Sequence, residues 1–206
     1  MGTNQLGRAV PIFLALLLVS ACASGGRPIP GGDTVVAEAP VRKVGDEWRY
    51  TGGNYSRVVT AEGERYVMVS NLDPTCSECR YVYDRNGNIT KVSDANGNPK
   101  PAFQPVEFPL RVGKTWKRDT KLAPVGGGTP QPYSNDFKVE GYEEITVKAG
   151  TFKAFRISWY QVNRGPRSWS GQADLWWSPD VRNFVKAVPF TSNWFQPWEL
   201  ESYVLK

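Results

Sequence analysis

Val139-Glu140-Gly141-Tyr142-Glu143-Glu144-Ile145-Thr146-Val147-Lys148 runs into Ala149-Gly150 and then Thr151-Phe152-Lys153-Ala154-Phe155-Arg156-Ile157-Ser158-Trp159. This stretch decides the fold. Ile145 and Val147 fall on one side of the first run, with Glu144, Thr146 and Lys148 on the other, a period of two that suits a strand. Ala149-Gly150 turns the chain, and Phe155, Ile157 and Trp159 share one face of the next run. Two alternating runs around a tight turn predict an antiparallel hairpin with a buried face.

The same pattern extends in both directions. Trp48 and Tyr50 alternate in the first run of the body. Tyr55 to Ala61 and Arg65 to Ser70 flank Glu62-Gly63, and Arg80 to Asp84 and Ile89 to Ser93 flank Asn86-Gly87, a strong hairpin signal. Gln172 to Ser178 and Asn183 to Thr191 flank Ser178-Pro179-Asp180, and Glu199 to Leu205 closes the chain. No segment after Cys22 keeps a 3.6-residue apolar period. The expectation is an all-β body over 44–206, an antiparallel meander forming a curved sheet or open barrel. Residues 94–105 and 122–135 read as long loops. Val44-Gly45-Asp46-Glu47-Trp48-Arg49 is echoed by Val112-Gly113-Lys114-Thr115-Trp116-Lys117, as though a hairpin unit were duplicated.

Composition narrows the chemistry. The 206 residues contain no histidine, which excludes Ser-His-Asp and Cys-His catalysis and histidine metal ligands. Glu143 and Glu144, or Asp174 and Asp180, offer carboxylates for glycoside cleavage, but no spacing singles out a pair. Ser168 and Ser170 lack a base. Glu199 and Glu201 share a strand face that reads as solvent-side. No catalytic residue, metal or cofactor is therefore expected, and the protein is read as a non-enzyme. The densest basic cluster, Lys117-Arg118-Asp119-Thr120-Lys121, is interrupted by an acid and gives no nucleic-acid stripe.

At the other end of the chain, Val10 to Val19 is apolar, Arg8 precedes it and Ser20-Ala21 follow, which is signal-peptide architecture. Leu18-Val19-Ser20-Ala21-Cys22 resembles the lipobox of bacterial lipoproteins. That resemblance implies cleavage of residues 1–21, with diacylglycerol and an N-acyl chain (palmitate) on Cys22. Three acyl chains make release from a membrane negligible. Removing Arg8 leaves 25 − 1 basic against 20 acidic side chains, a net +4. Ala23 in place of Asp implies the outer membrane, facing the periplasm. Residues 22–43 hold the lipidated Cys and a Gly/Pro-rich stretch that reads as a flexible tether spanning roughly 25 Å.

Two cysteines remain, in Cys76-Ser77-Glu78-Cys79-Arg80. In an exported protein the default is a disulfide, Cys76 to Cys79, with a redox pair as the alternative. Arg80 stands where a c-type haem needs His, and a zinc site lacks its other two ligands.

Phe108-Pro109-Leu110-Arg111-Val112-Gly113-Lys114-Thr115-Trp116, Val147 to Ile157 and Trp176-Trp177-Ser178-Pro179-Asp180-Val181 follow in order. Together they resemble a poorly characterised family of β-rich bacterial exported proteins and lipoproteins with FPLxVGKxW, VxAGTFxAF and WYSPxV motifs. Trp177 replaces the more usual Tyr, and Arg182 falls where that family often has Gly. The family assigns no catalytic residue. The ligand-binding candidates are aromatic: Trp159, Trp169, Trp176, Trp177, Trp194, Phe195 and Trp198. They line a groove for a hydrophobic or glycan ligand, or they fill a curved core. Trp176 and Trp177 are adjacent, so either one lies outside the core or both sheet faces are covered. The expected function is a membrane-anchored envelope lipoprotein with a non-catalytic binding domain. The alternative is an assembly accessory docking onto an envelope protein complex.

Overall fold

The computed structural model describes residues 26–73, 76–122, 129–166, 168–191 and 195–206. Along the chain the strands are β1 (Arg27–Pro28), β2 (Val36–Ala37), β3 (Glu47–Tyr50), β4 (Asn54–Glu62), β5 (Arg65–Ser70), β6 (Cys79–Tyr83) and β7 (Ile89–Ser93). They continue with β8 (Leu110–Arg111), β9 (Thr115–Leu122), β10 (Gln131–Val147), β11 (Gly150–Asn163), β12 (Trp169–Ser178), β13 (Asn183–Pro189) and β14 (Trp198–Val204). The fold is all-β and antiparallel, a curved sheet that does not close.

Two meanders, β9 to β13 and β3 to β7, are joined through β14 into one sheet. β1 lies on the same outer edge of β10 as β9, while β2 and β8 form a separate two-stranded ribbon. The β10–β11 hairpin pairs Glu144 with Lys153, Ile145 with Phe152 and Val147 with Gly150. Gly150 takes φ 134°, a conformation that side chains disfavour. A bulge between Val139 and Gly141 shifts the alternation by one residue, so that Phe137, Val139 and Tyr142 all reach the same cluster.

Both faces of the sheet are covered. Trp177 joins Phe155, Ile157 and Leu175 in a cluster capped by Val106 and Leu110 from the segment between the meanders. Trp176, on the opposite face, packs with Ile145, Phe152, Val185 and Leu200. The main chain of Ala149 donates to the Leu200 carbonyl at 2.9 Å, so the sheet curls around this second cluster. Trp176 and Trp177 are only 1% and 2% exposed, which settles the alternative left by their adjacency. Burying side chains of this size stabilises the fold by roughly 1.5–3 kcal/mol each.

The sequence echo has a structural counterpart. The N–H groups of Gly45 and Gly113, both at positive φ, donate to the carbonyls of Val58 and Val139. Val58 and Val139 in turn donate to the carbonyls of Asp46 and Lys114. Trp48 and Trp116 then enter the core at the same point of β3 and β9.

Two expectations need correction. The loop expected over 122–135 is shorter, because β10 begins at Gln131 and pairs with β9 through Tyr133↔Thr120 and Asn135↔Arg118. The chain before residue 44 is not a free tether from residue 26 onward. β1 pairs with β10, the Ile29 N–H donates to the Tyr142 carbonyl at 3.3 Å, and Ala37 is buried against the main core. Its Gly and Pro residues shape a strap that crosses one face of the sheet.

Candidate functional site

The strap and the Ser178–Arg182 turn between β12 and β13 enclose an open cleft of about 510 Å³. Val36, Ala37, Glu38, Pro40, Val41 and Lys43 line it from the strap, and Trp177, Pro179 and Arg182 from the end of β12 and the turn. Val36 and Val41 are 55% and 78% exposed, so the apolar lining is open to solvent.

A polar knot behind the cleft fixes its shape. Asp46 is fully buried and accepts from the main-chain N–H of Lys43 at 2.9 Å, the main-chain N–H of Lys206 at 2.8 Å and Arg182 Nη1 at 3.3 Å. One carboxylate thus ties the strap, the turn and the C-terminus together. Arg182 sits at φ 57°, a left-handed conformation rare for a side chain of its size. Its carbonyl receives Arg42 Nη2 at 2.7 Å and its guanidinium donates to the Val41 carbonyl at 3.0 Å, which explains how Arg holds a position suited to Gly. Arg42 also donates to Tyr66 Oη at 2.6 Å and lies over the rings of Trp48, Tyr66 and Tyr83. Burial pushes the Tyr66 and Tyr83 phenols up, opposed by the Arg42 charge. Trp177 also borders a cavity of about 40 Å³, lined in part by Arg42, Tyr83 and Gln104, that has room for a water.

The acidic candidates resolve differently. Glu143 and Asp174 do come together, but around Arg156 rather than facing an open site. Arg156 Nε lies 3.4 Å from Glu143 Oε2 and Nη1 lies 3.2 Å from Asp174 Oδ2. Glu143 Oε1 accepts Trp176 Nε1 at 2.6 Å and the Gly26 N–H at 2.8 Å. Burial raises the Asp174 carboxyl above its usual range despite Arg156. Glu144 pairs with Arg27 and Glu201 with Lys148 on the surface, while Asp180 is exposed in the turn. This arrangement is a buried ion-pair cluster that tethers the strap.

Among the described residues, the aromatic set does not form a single groove. Trp159 is 9% exposed, stacks with Phe137 and Phe195, and donates from Nε1 to Asn135 Oδ1 at 3.0 Å. Trp176 is core, and Trp177 is core except where its ring borders the cleft. Trp169 and Trp198 are half-buried, Trp198 meeting Tyr50 edge-on at 4.9 Å. Trp194 lies outside the described residues, as does Cys22. Large rings are the fillers that a strongly curved sheet requires, so most of the set goes to packing. The sequence reading missed the residues that line the opening, Val36 to Val41, because they sit in a stretch whose composition resembles a linker. Cys76 and Cys79 form a disulfide at the start of β6, buried with Val92.

The architecture is that of the YmcC-like fold. An exported protein described as having that fold, from Bacteroides fragilis NCTC 9343, superposes with a TM-score of 0.50 at 12% identity, over 82% of this chain and 99% of that one. The hypothetical lipoprotein YmcC of Escherichia coli gives 0.48 at 14% identity, over 81% and 89%. A Parabacteroides distasonis protein described as a lipoprotein gives 0.47 at 14% identity, over 82% and 99%. No protein-family model matches the chain. No curated protein matches it either.

Proposed function

We propose that this chain is a bacterial envelope lipoprotein, held by acyl chains on Cys22 at the outer membrane, whose β-rich body binds a hydrophobic or glycan ligand without chemistry. The Leu18–Cys22 lipobox supports the anchor, and the lack of histidine supports a non-catalytic role. The observation that carries the binding reading is the open cleft itself. Its volume of about 510 Å³ falls in the range of small-ligand sites, and Val36, Pro40, Val41 and Trp177 set apolar surface beside the charged side chains of Glu38, Lys43 and Arg182. The ligand site therefore moves from the tryptophan set to the cleft between strap and turn.

The exposed valines favour a second reading, in which the same surface receives an envelope protein. Native mass spectrometry of the protein extracted from membranes separates the two. A co-purifying lipid-like or glycan mass that is lost in Val41→Asp supports the ligand. A protein adduct lost in the same variant replaces it with docking. For the anchor, Cys22→Ser should release a folded protein from the membrane fraction, and retention there would refute the lipid attachment.

A further inference from the structure

Gly26 is where the described chain begins, and it is already fixed to the body. Its N–H donates to the buried Glu143 carboxylate at 2.8 Å. A Cβ built there would lie 2.5 Å from the Glu144 carbonyl oxygen, so only glycine permits this approach. Arg27 and Pro28 then pair with Glu144 and Glu143 in register, and Arg27 Nη2 lies 3.0 Å from Glu144 Oε1. Only Ala23, Ser24 and Gly25 stand between Cys22 and this point.

From these observations we infer that the lipidated protein sits directly on its bilayer, with the β1–β10 edge and the β10–β11 turn facing the lipid headgroups. The inference rests on the anchor reading. Four Cα–Cα steps span at most roughly 15 Å. The headgroup layer that the acylated Cys22 must cross takes about 5–8 Å of that length. The remaining reach is too short for the sheet edge to leave the headgroup surface. The edge is chemically suited to this position. Arg27, Glu144 and Lys153 form a cross-strand row with one surplus positive charge, and Arg27 and Lys153 are exposed. Such a row favours anionic phospholipid over the screening length of the solution. β12 runs back to the same end of the sheet as Lys153, where Ser178 Oγ donates to the Lys153 carbonyl at 2.7 Å. The cleft beside that turn therefore opens close to the membrane surface.

The test uses the full, acylated chain in vesicles of phosphatidylethanolamine and phosphatidylglycerol carrying a headgroup quencher. A fluorophore is placed through Thr151→Cys at the β10–β11 turn or through Arg164→Cys beyond the other end of β11. The two sites lie roughly 43 Å apart along the strand, so quenching at Thr151 should exceed that at Arg164 about fivefold. A twenty-residue Gly-Ser insertion between Ala23 and Gly25 should remove most of the difference, and Arg27→Glu with Lys153→Glu should reduce it. If the protein floats with the vesicles and both labels are quenched alike, the orientation is wrong while the anchor stands. A protein that does not float overturns the anchor, and the orientation with it.

Discussion

Replacing Asp46 by alanine should detach three parts of the molecule at once. The carboxylate is fully buried and accepts two main-chain N–H groups and one guanidinium N–H, from Lys43, Lys206 and Arg182. Losing a bond to a charged acceptor costs about 1.5–3 kcal/mol, and breaking a buried pair from one side costs about 3–5 kcal/mol. The Arg182 side chain is 28% exposed, so water recovers part of its loss. A net cost of about 3 kcal/mol is expected, which for a domain of this size lowers Tm by roughly 6–12 °C. Differential scanning calorimetry of the detergent-extracted protein reads this directly, with the exposed Asp33→Ala as a control that should not move. In a cycle with Arg182→Met, the pair should couple by about 1–3 kcal/mol. A fall in Tm below about 2 °C would refute the reasoning, because it would mean that the three donors find water as readily as the carboxylate.

Trp176→Phe keeps a ring in the core but removes the donor to Glu143, and should lower stability by about 2–4 kcal/mol, read as a lower urea midpoint at unchanged slope. The Asn98 side-chain amide, helped by the Asn98 and Asn96 main-chain N–H groups, holds the Asp94 carboxyl below its ordinary value. Its stabilisation is therefore complete above the unfolded carboxyl value near 3.8 and is lost as pH falls through the lower folded value. Amide exchange across 94–98, corrected for intrinsic rate, should rise only below that range, and Asp94→Ala should show the rise at neutral pH. The Cys76–Cys79 disulfide closes only a short loop, so reducing it should cost about 2 kcal/mol at most. Thiol titration of the unfolded, unreduced protein should find neither cysteine free.

The hairpins were legible because each rests on residues close in sequence. Ile145 and Val147 are buried together, as are Phe155 and Ile157, although the two pairs lie on opposite faces of a sheet covered on both sides, and Glu62-Gly63 and Asn86-Gly87 mark the turns of β4–β5 and β6–β7. A signal that could have been read further is the repeated Asp-x-Asn-Gly-Asn at Asp84 to Asn88 and Asp94 to Asn98. In both copies the Asp carboxylate accepts the N–H groups two and four residues ahead. The order of strands across the sheet was not legible, since β14 reaches back to β3 through pairs such as Tyr203↔Trp48. Nor does alternation show which side of a strand meets solvent when both sides are covered, as at Trp176 and Trp177.

The strap was misread for a physical reason that also bears on function. Glycine and proline in a polar run usually mark a chain that cannot bury enough surface to become ordered. Here the body provides that surface. Gly26 and Gly32 are small because Cβ atoms there would come within 2.5 Å of the Glu144 carbonyl and 3.0 Å of the Tyr142 carbonyl. The prolines sit where no ladder donor is needed, at the edge strand β1 and along the cleft wall at Pro40. A glycine chosen for close approach and a glycine chosen for freedom look identical in a sequence, and only the partner distinguishes them. The partner residues lie more than a hundred positions away, at Glu143 and Arg182. The same packing that orders the strap brings the cleft, a sheet edge and Gly26 to one end of the fold.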